Sequence, residues 1–256
     1  MKTPTRFSSR RLFPALLSVG TLLIPLNRLH GADLYMSGHA DIGVGYEAGA
    51  LNPHWHLHEG TEVNGVPLDA EVEYAPDGLL AYVPDPAIAR PPGVQWDFLG
   101  TSTGSPLWFL PQAEDPGKPF LGIASEELIP NDWTSLNLTL VSFSGPAGGE
   151  FSLWQADLFG TPVVRMTTSD GIGPGDAFAL TVGGHDHYNV GFTQPGEYAV
   201  TLQWDGVHQS DGPVTARATY GFTVQQVPEP GTATLLVLGA LSWLTWGRSR
   251  GARCVR

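Results

Sequence analysis

Tyr198-Ala199-Val200-Thr201-Leu202-Gln203-Trp204 decides the fold class. Apolar residues alternate with small or polar ones at period two, so Tyr198, Val200, Leu202 and Trp204 share one face of a strand. The same pattern recurs along the chain. Leu136, Leu138 and Leu140 alternate with Asn137 and Thr139, Phe151 and Leu153 repeat it, Phe178, Leu180 and Val182 lead into Gly183-Gly184, and Tyr220, Phe222 and Val224 form a last strand. Glycine (32) and proline (22) separate these runs, with turns marked by Pro146, Gly148 and Gly149 and by Gly171 to Gly175. Helix-period segments are nearly absent between residues 33 and 226. Many short strands parted by turn residues predict an all-β domain, an antiparallel β-sandwich. Pro195-Gly196 suits a tight turn. Tyr198 just after it resembles a tyrosine corner, whose hydroxyl bonds back to main chain, so the sandwich is expected to be immunoglobulin-like in part.

Working outward, both ends differ from this middle. Lys2, Arg6, Arg10 and Arg11 precede an apolar run from Leu12 to Leu26, and small residues Gly31 and Ala32 follow. This predicts a secretory signal peptide over 1–32. At the other end stand Val227-Pro228-Glu229-Pro230, an apolar run from Thr232 to Trp246, and then Arg248, Arg250, Arg253 and Arg256. The run is about fifteen residues, short of the ~20 that span a bilayer comfortably. The arginines after it would stay on the cytoplasmic side. Residues 227–256 resemble the PEP-CTERM sorting signal of exopolysaccharide-producing Gram-negative bacteria; a plain membrane anchor is the alternative. The resemblance implies an apolar sorting helix, cutting by an exosortase at the Pro-Glu-Pro motif, and a protein at the cell surface or outside it, membrane-anchored transiently or permanently.

The exported part, 33–226, carries four basic residues (Arg90, Lys118, Arg165 and Arg217) against twenty-four acidic ones, a net charge of −20. Such a surface repels nucleic acid and attracts cations. The only cysteine, Cys254, lies in the tail, so this part has no disulfide despite an oxidising destination.

Histidine is where the chemistry gathers. His54-Trp55-His56-Leu57-His58 puts three imidazoles on one face of a strand and two large apolar residues on the other. His185-Asp186-His187 projects two more together. His39 stands in Gly38-His39-Ala40-Asp41, and His208 falls in an expected exposed loop. Imidazole pairs at i, i+2 suit neighbouring corners of a zinc tetrahedron, and without thiolates only imidazole and carboxylate ligands remain. His39, His185 and His187 are the favoured ligands. His54, His56 and His58 form a second site or complete the first.

The segment His185-Asp-His187-Tyr-Asn189-Val-Gly191-Phe192-Thr-Gln-Pro195-Gly196-Glu-Tyr198 resembles the H-x-H-x-N…G-F-x-x-P-G-x-Y signature of a surface-anchored domain family of actinobacteria, with Val190 in place of the usual Trp. Gly191, Phe192, Pro195, Gly196 and Tyr198 read as structural; His185, His187 and Asn189 are what folding alone does not explain. The Gly-His-x-Asp opening and histidine-rich first segment are similar to a zinc-regulated PEP-CTERM family. These resemblances imply zinc acquisition or storage, with a metal ABC transporter component as a partner. The competing reading is a matrix or adhesion protein without metal, in which Trp55, Trp96 or Trp108 stacks on exopolysaccharide sugars. Glu59 and Asp186 are candidate general bases, but no H-E-x-x-H, G-x-S-x-G or cysteine nucleophile accompanies them, and the chain does not read as an enzyme.

Overall fold

A computed structural model describes residues 31–84 and 87–225. The apolar run of the expected signal peptide, the Pro-Glu-Pro motif and the sorting helix expected after it lie outside the described residues. Among the described residues no helix is long and apolar enough to cross a membrane. The regular structure there is almost all strand: β1 (Asp33–Glu47), β2 (Ala50–Leu57), β3 (Glu62–Val63), β4 (Val66–Pro67), β5 (Val72–Tyr74), β6 (Leu79–Val83), β7 (Ile88–Ala89), β8 (Pro106–Leu110) and β9 (Pro119–Ala124) in the first half. The second half holds β10 (Trp133–Ser144), β11 (Phe151–Ala156), β12 (Pro162–Thr167), β13 (Ala177–Ala179), β14 (His185–His187), β15 (Asn189–Phe192), β16 (Gly196–His208) and β17 (Gly212–Val224). Short 3-10 helices cover Val94–Leu99 and Pro130–Asp132.

Two sheets result. The smaller has the order β12-β11-β15-β8-β7; the larger follows β13-β10-β16-β17-β6-β1-β2-β5, with β9 and β14 added beside β1. The first strand joins the two parts of the larger sheet. Its start pairs with β3 and β6, whereas from Gly38 onward it pairs with β2 and β9. A register irregularity between Tyr35 and Ser37 marks the changeover. Gly38 there has φ of 89°, and a Cβ would lie 2.8 Å from the Thr61 Cα, so glycine is required for both backbone shape and space. The outcome is a five-strand ribbon in the order β14-β9-β1-β2-β5, whose β2 packs against β17 through Trp55 and Tyr220.

The all-β expectation holds; the purely antiparallel one does not. β1–β6, β1–β9 and β17–β6 run parallel. Alternation reports which face a residue occupies, and this is blind to the direction of the neighbouring strand. The expected alternation itself is present: Tyr198, Val200, Leu202 and Trp204 are all buried. The Tyr198 hydroxyl donates to the Gln194 carbonyl at 2.7 Å and accepts from the Gln194 N–H at 3.1 Å.

One core draws from both sheets. Trp55 and Leu57, completely buried, point inward from β2, and the Trp55 ring meets Tyr220 edge-on at 5.0 Å. Phe192 of the smaller sheet packs on Tyr198 and Phe222 of the larger at 4.7 and 5.2 Å. Two expectations are corrected here. Trp55 and Trp108 are buried and offer no platform for sugars, which leaves only the half-buried Trp96. His208 is not in an exposed loop: it ends β16, largely buried between Tyr46 and Trp133, with Nδ1 3.1 Å from Asp211 Oδ2. Its aromatic ring is covered by neighbours that are remote in sequence.

Candidate metal centre

The β14-β9-β1-β2-β5 ribbon has one apolar and one imidazole-bearing face. The apolar face carries Ala40, Ile42, Val44, Trp55, Leu57, Leu121 and Ile123, all in the core. Directly opposed residues of paired strands share a face, so the register defines the other side. His187 opposes Gly122, Gly122 opposes Asp41, Asp41 opposes His56 and His56 opposes Glu73, in one row across five strands. A second row runs from His185 through Ala124, and from Gly43 to His54. The His58 N–H donates to the His39 carbonyl at 3.1 Å, which brings these two side by side. Six histidines therefore occupy one polar face.

His39, Asp41, His185 and His187 form the first group. One ligand atom from each lies within 4.8 Å of all the others. His185 Nε2 and His187 Nε2 are 3.2 Å apart, and His39 Nε2 is 3.5 Å from Asp41 Oδ2. Each ring is held. His187 stacks on Phe120 at 3.6 Å, and His39 stacks on His58 at 4.0 Å. His185 Nδ1 lies 3.1 Å from Glu126 Oε1; donation there leaves its Nε2 lone pair facing the group. Asp41 is 1% exposed. It fits because Gly122 has no side chain: a Cβ there would sit 2.0 Å from Asp41 Oδ1.

The electrostatics suit a cation. Burial pushes the Asp41 carboxyl up, but His39, then His58 and His185, outweigh it and hold its pKa below the usual value. Burial, then the electrostatic effect of the neighbouring His39, push His187 down to about 4, so its imidazole is neutral at physiological pH and has a lone pair to offer. Asp41 Oδ1 and His39 Nε2 are buried without hydrogen-bond partners. Buried polar atoms in that condition are costly, and a bound metal ion would satisfy both.

A second group consists of His54, His56, Glu73 and Glu127, and a third of His56, His58 and Glu71. His54 Nδ1 is 3.0 Å from the Asn52 carbonyl and its Nε2 2.8 Å from Glu127 Oε1. Carboxylate and imidazole then alternate: His56 Nδ1 lies 3.6 Å from Glu127 and its Nε2 3.7 Å from Glu71, while His58 lies 3.6 Å from Glu71 and 3.1 Å from Asp41. None of the four Lys and Arg residues among the described residues pairs with these acids. Arg90 binds Asp97, Lys118 lies by Asp115 and Phe109, Arg165 holds Gln155, and Arg217 holds Gln203.

No family model, curated protein or solved structure matches this chain.

All six histidines expected as ligands thus lie on one sheet face. The carboxylates were not singled out as ligands. Asp41 had a local signal, lying two residues after His39 in a strand. Glu71, Glu73, Glu126 and Glu127 had none, because the fold alone delivers them. Asn189 is explained otherwise than expected. It lies in the smaller sheet, accepts from Gln112 N–H at 3.0 Å and donates to Gln112 Oε1 at 2.9 Å, clamping a loop rather than facing the histidines. Asp186 opposes Ile123 and so points to the other side of the ribbon from His185 and His187, and Glu59 is exposed just past β2.

Proposed function

We propose that this protein binds a divalent metal ion, zinc by preference, at His39, Asp41, His185 and His187. It would do so as an exported surface protein that takes up or stores the metal. The observation that carries the reading is the meeting of His39 and Asp41 with His185 and His187, nearly 150 residues away, with ligand atoms mutually within 4.8 Å. Three imidazoles and a carboxylate are a zinc-like donor set. In a tetrahedron with Zn–N bonds near 2.0–2.1 Å, ligand atoms are about 3.3 Å apart, against 3.2 Å between the two Nε2 atoms of β14. Four protein ligands leave no open corner for substrate in that geometry, which supports holding an ion over catalysis.

Export rests on the sequence: the basic and apolar leader, and the Pro-Glu-Pro, apolar, arginine order of the tail. The partners that go with it are an exosortase and, for delivery, a metal transporter component. The net charge of −20 over 33–226 supports cation binding over nucleic acid.

Elemental analysis of untagged protein, purified without chelator, tests the reading. Zinc is expected to co-purify, with one equivalent lost from the His185→Ala/His187→Ala variant. Protein that retains no metal after incubation with zinc and desalting would overturn it.

A further inference from the structure

We infer that the same sheet face holds a second divalent cation beside the first, at His54, His56, Glu73 and Glu127. The inference rests on the metal reading of the first group for the class of ion. It adds a separate position, because the two groups have no residue in common.

Four observations support it. The first is His54, 4% exposed. In the neutral ring the Asn52 carbonyl, which can only accept, takes the Nδ1 proton and leaves Nε2 as an acceptor. Yet Nε2 lies 2.8 Å from a carboxylate oxygen of Glu127, also an acceptor. The direction is wrong for a hydrogen bond, and Nε2 is buried without one. A cation between the two atoms, a proton or a metal ion, removes the conflict.

The second is space made for these ligands by glycine in a strand interior, where glycine is otherwise destabilising by about 0.5–1 kcal/mol. A Cβ on Gly43 would lie 2.7 Å from His54 Nε2, and one on Gly45 would lie 2.6 Å from Glu127 Oε2.

The third is a cavity of about 30 Å³ lined by Asp41, His56, Glu126 and Glu127. It sits between the two groups and is large enough for one water or one monatomic ion. Asp41, whose Oδ1 is buried and unpartnered, faces it from the first group.

The fourth is charge: no Lys or Arg pairs with Glu73 or Glu127 among the described residues. Two imidazoles with two carboxylates suit zinc, and admit manganese or ferrous iron more readily than the imidazole-rich first group does. The third group shares His56 and ends at Glu71, which is 64% exposed, so it extends the second position toward solvent.

Zinc titration of full-length, metal-free protein against a chromophoric chelator, with elemental analysis after desalting, tests this. Two equivalents are expected. The His56→Ala/Glu127→Gln variant should retain one, and His185→Ala/His187→Ala should also retain one. His56 and Glu127 are part-exposed, so their replacement spares the buried His54; circular dichroism verifies the fold. Two equivalents retained by His56→Ala/Glu127→Gln would overturn the second position. So would a single wild-type equivalent lost only with His185 and His187, which would leave the first reading intact. No bound zinc in the wild type would remove both.

Discussion

Gly122→Ala is a demanding test of the first metal group because Gly122 contributes no ligand atom. Its new Cβ would lie 2.0 Å from Asp41 Oδ1 and 3.2 Å from Asp41 Cγ. An ordinary carbon–oxygen contact is about 3.3 Å, so the carboxylate must retreat by roughly 1.3 Å. Asp41 is 1% exposed and cannot swing out to water. Overpacking of this kind costs about 1–3 kcal/mol, or a fall in melting temperature of roughly 2–12 °C for a domain of this size. Displacing the carboxylate also spoils its place among His39, His185 and His187. A tenfold to hundredfold loss of zinc affinity is expected, the range typical when the support of a metal site is disturbed. The assay is chelator competition on full-length protein, with melting curves of the metal-free form. Gly175→Ala is the control, since a Cβ there meets nothing within 4 Å. Zinc affinity within twofold of wild type in a folded Gly122→Ala protein would refute the assignment of Asp41 as a ligand.

Three further outcomes are expected. Chelation should lower the melting temperature, since zinc at a hundred times its Kd stabilises the folded state by about 2.7 kcal/mol; calorimetric scans with and without chelator that superimpose would count against a bound ion. Asn189→Ala should cost about 1–3 kcal/mol in urea denaturation, because it strands Gln112, while leaving zinc stoichiometry unchanged; a lost equivalent of zinc would return Asn189 to the metal centre. Burial raises the phenols of Tyr188 and Tyr198 to about 12 each, against about 10 when unfolded. Between those values the unfolded chain has lost protons that the folded one keeps, so this contribution to stability is complete below pH 10 and disappears as pH rises toward 12. Absorbance at 295 nm should show both phenols ionising late and together with unfolding, and early ionisation of a folded protein would contradict their burial.

Much of the candidate site was legible in short stretches. Period two in His54–His58 put Trp55 and Leu57 on one side and the imidazoles on the other, and the structure buries both apolar residues completely. The exposed loop expected at His208 is instead the end of a strand, and the cover of His208 comes from Tyr46 and Trp133, far away in sequence. The H-x-H-x-N signature misled on Asn189: the two histidines before it belong to β14, but the chain passes into β15 of the other sheet within two residues. Trp55 and Trp108 could be read as sugar platforms only while their neighbours were unknown.

The sequence by itself determined the all-β class, the inward and outward faces of the strands, the acidity of residues 33–226 and the pairing of histidines at i, i+2. These are local properties, set by the two-residue repeat of an extended chain and by composition. Tertiary structure decided the parallel course of β9 and β6 beside β1, and the change of pairing partners along β1 near Gly38. It also decided the row that brings His187 and Asp41 to His56, and the arrival of Glu71, Glu73, Glu126 and Glu127 at the histidines. A strand's partner, direction and register depend on which distant surfaces bury the most apolar area together. No short window of sequence contains that information.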